Sequence, residues 1–269
     1  MSRIDETFAR LAQSRRAALV PFVTAGDPTP AQVVPMLREL VKGGADIVEL
    51  GIPFSDPMAD GPTIQRSSER ALKAGMTLAG VLDAVREYRR EDDRTPIVLM
   101  GYANPVERMG AQAFADRARD AGVDGALIVD YPPEESEAWA GALGERGIAP
   151  IFLLSPTSSE SRMALVGRLA KGYIYYVSLK GVTGAGHIDT SDVEATLARI
   201  RAHARVPVGV GFGIRDPQTA ARIAAFADAV VIGSRIVEAI ESAATPEEAP
   251  VRAGALLARF RAAIDEGAR

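Results

Sequence analysis

The 269-residue chain contains no cysteine, which excludes disulfide frameworks, thiolate metal sites and thiol nucleophiles together. It has only two histidines, His187 and His203, and they do not form a ligand pair at helical spacing. No dedicated zinc or other metal site is therefore expected. No apolar run approaches the ~18 residues of a membrane span, and the charged N-terminus, Met1-Ser-Arg-Ile-Asp-Glu-Thr-Phe8, lacks the apolar core of a signal peptide. A cytoplasmic location is the expectation. One-sided charge is missing as well: 31 Lys and Arg face 35 Asp and Glu, for a formal net charge of −4, with the signs mixed along the sequence. Neither a nucleic-acid stripe nor a disordered acidic tail is present, which points to a small molecule or another protein as partner.

What is present is a recurring unit: a short apolar run, a polar or glycine-rich turn, then a stretch of helical periodicity. The apolar runs end near Val23, Leu50, Gly101, Asp130, Leu154, Ser178, Val210 and Ile232. These ends are mostly about 22 to 32 residues apart, the length of one strand, one helix and two short loops. Eight such units predict a parallel sheet closed into a (β/α)₈ TIM barrel, with residues 1–269 as one domain. An open doubly wound sheet is the alternative. It would usually carry a Gly-x-Gly-x-x-Gly turn after its first strand, where this chain has Val23-Thr-Ala-Gly-Asp-Pro28.

Two additions to the plain barrel are legible. Ser2 to Gln13 reads as an extra N-terminal helix with Ile4, Phe8 and Leu11 on one face, suited to covering the bottom or side of the barrel. The stretch from Leu50 to Gly101 is too long for one unit. It holds two helical patterns, Thr63 to Lys73 and Thr77 to Arg90, with Gly75 ending the first and Thr77 able to cap the second. Strand two thus carries an elaborated loop.

That strand and loop hold the strongest chemical signal. Ile47-Val-Glu-Leu50 has the content of a buried strand, yet includes a carboxylate, which is costly to bury alone. The following loop, with Pro53, Pro57, Pro62, Asp56, Asp60 and Gly61, presents its acids from a constrained backbone. Glu49 and Asp60 are candidate acids converging on one ligand. The competing structural reading is a salt-bridged strand glutamate and an aspartate capping the helix that starts near Thr63.

Barrel active sites lie at the C-terminal ends of the strands, with phosphate often held between the last two loops. Val210-Gly-Phe-Gly-Ile214 and Ile232-Gly-Ser-Arg235 place unhindered N–H groups there, and Lys180-Gly-Val-Thr-Gly-Ala-Gly186 follows strand six. Arg215 and Arg235 read as solvated loop-edge arginines. At the mouth, Phe22, Met100, Tyr102, Leu127, Tyr175 and Phe212 form an apolar and aromatic set able to hold a flat ring, or a packed core. Asp130 reads as a cap for the turn to Pro132-Pro133.

The segments Pro21-Phe-Val-Thr-Ala-Gly-Asp-Pro28, Glu49-Leu-Gly-Ile-Pro-Phe-Ser-Asp-Pro57, Ala59-Asp-Gly-Pro62, Met100-Gly-Tyr-Ala-Asn-Pro105, Tyr175-Tyr-Val-Ser178, Gly181-Val-Thr-Gly184 and Gly211-Phe-Gly-Ile214 resemble, in order, those of the tryptophan synthase alpha subunit. The resemblance implies cleavage of indole-3-glycerol phosphate to indole and glyceraldehyde 3-phosphate. It implies Glu49 as acid/base and Asp60 as the acid at the indole nitrogen. Tyr175 and Thr183 match supporting positions; Gly184, Gly213, Gly233 and Ser234 match the phosphate cradle. It further implies no cofactor in this chain, and a pyridoxal-phosphate-bearing beta subunit that receives indole within an alpha2beta2 complex. Loops Pro53 to Asp60 and Lys180 to Asp189 are where substrate closure and partner contact are expected to meet. The family pattern often has arginine where this chain has Leu179, a departure that bears on loop closure and leaves the two acids untouched.

Two other functions remain open from the residues. One is a Schiff-base aldolase using Lys180, although that lysine sits in a glycine-rich loop without evident desolvation. The other is a partner subunit that binds a phosphorylated ligand without catalysis. Two extra negative charges would gain such a subunit nothing.

Overall fold

A computed structural model describes residues 1–178, 190–211 and 213–267. In chain order, helix α1 (Arg3–Gln13) precedes strand β1 (Ala18–Thr24), α2 (Val33–Lys42), β2 (Val48–Gly51), α3 (Pro62–Lys73), α4 (Leu78–Tyr88) and β3 (Ile97–Gly101). Then come α5 (Ala103–Met109), α6 (Ala111–Ala121), β4 (Gly125–Ile128), α7 (Glu137–Gly144), β5 (Ala149–Pro150), β6 (Phe152–Leu154), α8 (Glu160–Leu169) and β7 (Ile174–Val177). The chain continues with α9 (Thr190–His203), β8 (Val208–Gly211), α10 (Pro217–Ala224), β9 (Ala229–Ile232), α11 (Ser234–Glu241) and α12 (Glu248–Gly267).

All strand pairings are parallel, in the order β5-β4-β3-β2-β1-β9-β8-β7-β6. Only Ile151 separates β5 from β6, and its N–H donates to Ala126 O at 2.9 Å. The two pieces are halves of one barrel position, the first paired with β4 and the second with β7. Pro150, which has no N–H to give, sits at the break. The nine strands therefore fill eight positions and the ring closes, as the eight sequence units predict.

Strand period two divides the core into two shells. Val20, Ile47, Val98, Leu127, Tyr173, Tyr175 and Val231 pack inside the barrel, while Leu19, Val48, Leu50, Leu99 and Val230 face the helices. Helix α1 belongs to the inner shell: Ile4 and Leu11 are buried there, and Phe8 lies 6.1 Å from the Tyr173 ring. Ile4 also abuts Gly125 and Gly172, which precede or begin their strands, so α1 plugs the bottom. Ser2 and Asp5 start it with a reciprocal capping box.

The elaborated loop has the expected anatomy. Gly75, at φ +85°, follows the end of α3, and the Thr77 hydroxyl accepts from Gly80 N–H at 3.1 Å to cap α4. Among the described residues, no helix is long and apolar enough to cross a membrane.

Candidate active site

Glu49 occupies β2 in register with Phe22 of β1 and Val98 of β3. It is fully buried, and no cation pairs with it among the described residues, so the salt-bridged reading fails. Its partner is Tyr173, whose hydroxyl donates to Oε1 at 2.5 Å. Oε2 is buried with no hydrogen-bond partner among the described residues. Burial raises the Glu49 carboxyl to about 7, against a smaller lowering by the Tyr173 bond. A carboxyl that titrates near neutrality can both deliver and take a proton.

Asp60 does not cap α3. The N-cap position is Gly61, without a side-chain bond, and the Asp60 side chain instead accepts from Tyr102 Oη at 2.9 Å through Oδ2. Its carboxyl too is raised, by burial first, with the Tyr102 bond opposing. Tyr175 relates the two acids. Its hydroxyl is held far above its ordinary range by burial and then by the charges of Glu49 and Asp60.

Phe22, Met100, Tyr102 and Asp60 line one small cavity at the barrel mouth, together with Thr24 and Ile64. Leu127 and Tyr175 do not line it and belong to the buried inner shell. Two glycines make room for aromatic rings at this end of the barrel. A Cβ on Gly51 would stand 2.6 Å from Phe22 Cζ and one on Gly211 2.1 Å from Tyr175 Oη. Gly233 adjoins Phe22 and precedes Ser234, the first residue of α11. Gly213, at φ +77°, follows β8. Gly213, Gly233 and Ser234 thus gather at the ends of adjacent strands, where helix N–H groups favour an anion. Thr183, Gly184, Phe212, Leu179 and Lys180 lie outside the described residues.

Arg215 and Arg235 both turn onto Glu238, at 3.0 and 2.5 Å. Asp130 caps a different element from the one expected: its Oδ1 accepts from Ala103 N–H at 2.7 Å, at the start of α5 rather than in the turn to Pro132-Pro133. The three described lysines, Lys42, Lys73 and Lys171, are not buried in the barrel, and Lys42 pairs with Glu39. No three His, Cys, Asp or Glu side chains cluster as a metal-ligand set among the described residues.

Residue reading missed Tyr173 and underrated Tyr102. The available signal for Tyr173 was period two, which puts it on the same face as Tyr175. Barrel position six, which β7 fills, is diametrically opposite position two, filled by β2, so the Tyr173–Glu49 bond spans the interior.

This geometry has close counterparts. The family model for the tryptophan synthase alpha chain matches residues 8–265. A tryptophan synthase alpha chain of Burkholderia pseudomallei is 60% identical over 269 residues, covering 100% of this chain and 99% of that one; one of Burkholderia thailandensis is also 60% identical over 269 residues. The solved tryptophan synthase subunit alpha of Legionella pneumophila superposes with a TM-score of 0.89 at 43% identity, covering 99% of both chains. A tryptophan synthase structure from Mycobacterium tuberculosis gives 0.87 at 33%, covering 98% of this chain and 100% of that one. A family model that spans the barrel nearly end to end, and relatives matched over the full length of the chain, lead to one conclusion: the chain belongs to the tryptophan synthase alpha chain family.

Proposed function

We propose that Glu49 and Asp60 carry the alpha reaction of this family in this chain, the retro-aldol cleavage of indole-3-glycerol phosphate to indole and glyceraldehyde 3-phosphate. Glu49 delivers a proton to indole C3, making the ring an electron sink. Glu49, ionised by that transfer, then takes the proton of the adjacent glycerol hydroxyl, which drives C–C scission, leaving an aldehyde while the electron pair restores the indole ring. Asp60 holds the ring N–H and balances the positive charge that develops there. The supporting observation is Glu49 itself, a fully buried carboxyl with one oxygen unpartnered and a midpoint near 7.

Phe22 and Met100, which line the cavity with Asp60, hold the indole ring together with Thr183 and Phe212, while Leu127 and Tyr175 back them from the inner shell. Gly213, Gly233 and Ser234, with Gly184, hold the phosphate. Members of this family need no cofactor in the alpha chain and pass indole to a beta subunit bearing pyridoxal phosphate, in an alpha2beta2 complex. The chain takes the same partner and works in the cytoplasm. Residues 1–269 act as one barrel domain, in keeping with the single sheet.

Indole release from indole-3-glycerol phosphate by the purified chain, in chelator and with or without added beta subunit, tests this reading. Indole is expected under both conditions, faster with the partner. A folded chain that releases none in either case contradicts the proposal.

A further inference from the structure

The loop between β2 and α3 has no regular structure of its own, yet one residue from outside it holds it at three points. Tyr102, at the junction of β3 and α5, stacks on Phe54, with ring centroids 5.2 Å apart and planes 29° from parallel. Its hydroxyl accepts from Ala59 N–H at 3.1 Å and donates its one proton to Asp60 Oδ2 at 2.9 Å. Gln65 Nε2 fixes the backbone by donating to Asp60 O at 2.8 Å. Gln65 thus sets where the Asp60 main chain lies, and Tyr102 sets where its carboxylate points.

We propose that Tyr102 is the positioning residue for Asp60, orienting its carboxylate so that Oδ1 is the oxygen that takes the indole N–H. This inference rests on the role given to Asp60 above. Oδ2 is occupied by Tyr102, whereas Oδ1 has no hydrogen bond among the described residues. A hydroxyl that donates its only proton to a carboxylate favours the ionised form, which a developing cation requires. Few other charges face this group. Tyr175 approaches from β7, Asp130 adds its charge on the Tyr102 side, and no lysine or arginine pairs with Asp60 among the described residues. Among the described residues, the Tyr102 bond is therefore the one stabilising contact to a carboxylate that burial disfavours.

The test is the pH dependence of kcat/KM for indole-3-glycerol phosphate cleavage in Tyr102→Phe, Asp60→Asn and the double variant, using the full chain with its beta subunit. Tyr102→Phe keeps the ring on Phe54 and removes only the hydroxyl. Its acidic limb is expected to move up by about one pH unit, with kcat/KM about tenfold down on that limb and recovering toward high pH. In the Asp60→Asn background the same change is expected to have little further effect. A loss by the same factor at every pH, repeated undiminished in the Asp60→Asn background, would overturn the inference and leave Tyr102 a packing residue. Near-normal activity of Asp60→Asn alone would instead remove the role of Asp60 itself, and this inference with it.

Discussion

Tyr173 Oη donates across the barrel interior to Glu49 Oε1 at 2.5 Å, and both residues are fully buried. The bond favours ionised Glu49, while burial favours the neutral acid and dominates. Removing the hydroxyl in Tyr173→Phe leaves burial unopposed, so the Glu49 midpoint rises above its value of about 7. A hydrogen bond to a charged group corresponds to about one pKa unit or more. The pH profile of kcat/KM should shift upward by that amount, and an unmoved profile would separate Tyr173 from proton transfer.

Glu49→Gln tests the same carboxyl twice. Turnover is expected to fall by at least about 1,000-fold, because the amide can neither deliver nor take a proton, while ligand binding stays largely intact. Stability should change in the opposite sense. A carboxyl whose folded midpoint lies above its unfolded value favours the fold at low pH. That advantage is lost as pH rises from the ordinary 4.5 through about 7. The difference corresponds to about 3 kcal/mol by the usual conversion of pKa shift to free energy. Urea unfolding should therefore find the variant similar to the parent at pH 5 and more stable by up to about 3 kcal/mol at pH 8.5. Equal stability at both pH values would contradict burial as the cause of the raised midpoint.

Gly211 owes its identity to Tyr175. A Cβ there would stand 2.1 Å from Oη and 2.5 Å from Cζ, both well inside contact distance. Gly211→Ala must push the ring aside, at a cost of about 1 to 3 kcal/mol for overpacking. Activity should fall along with stability, since the displaced ring adjoins both acids. Thermal unfolding of Gly211→Ala and of Gly211→Ala/Tyr175→Leu decides the cause. The second change should recover stability if the ring is the obstacle, and should worsen it if Gly211 is needed for its backbone alone.

The fold was legible because its signal is local and repeated: each strand end, from Val23 to Ile232, is marked by an apolar run and a turn. Glu49 stood out for a related reason, a charge placed where the period demands a buried side chain. Its partner did not stand out, because Tyr173 is remote in sequence and meets Glu49 only once the ring has closed. Asp60 was likewise visible as an acid, but its bond to Tyr102 crosses from one barrel position to the next and has no local pattern. The aspartates show the same limit. The chemistry of Asp130 announced a cap, but only tertiary packing selects Ala103 as the group it caps.

Packing also selects the partners of Asp27, and the outcome ties the two ends of the site together. Its carboxylate is inaccessible and takes two bonds of 2.8 Å from Arg70 on α3, which also donates to Glu241 on α11 at 2.8 Å. Helix α3 follows the Asp60 loop and α11 begins at Ser234, so this chain of charges fastens one to the other. Burial already raises the Asp27 midpoint, with Arg70 the main opposing influence. Arg70→Ala leaves a buried charge unpaired and should cost about 3 kcal/mol at pH 8. Because the folded midpoint of Asp27 then climbs further, the penalty shrinks as pH falls and the carboxyl protonates. Arg66→Ala supplies the contrast: Arg66 also binds Glu241, but it is half exposed, and its loss should cost much less than that of Arg70. Urea unfolding of both variants at pH 5 and pH 8 measures the difference. Equal losses that do not vary with pH would show that the buried charge of Asp27 is not what Arg70 neutralises.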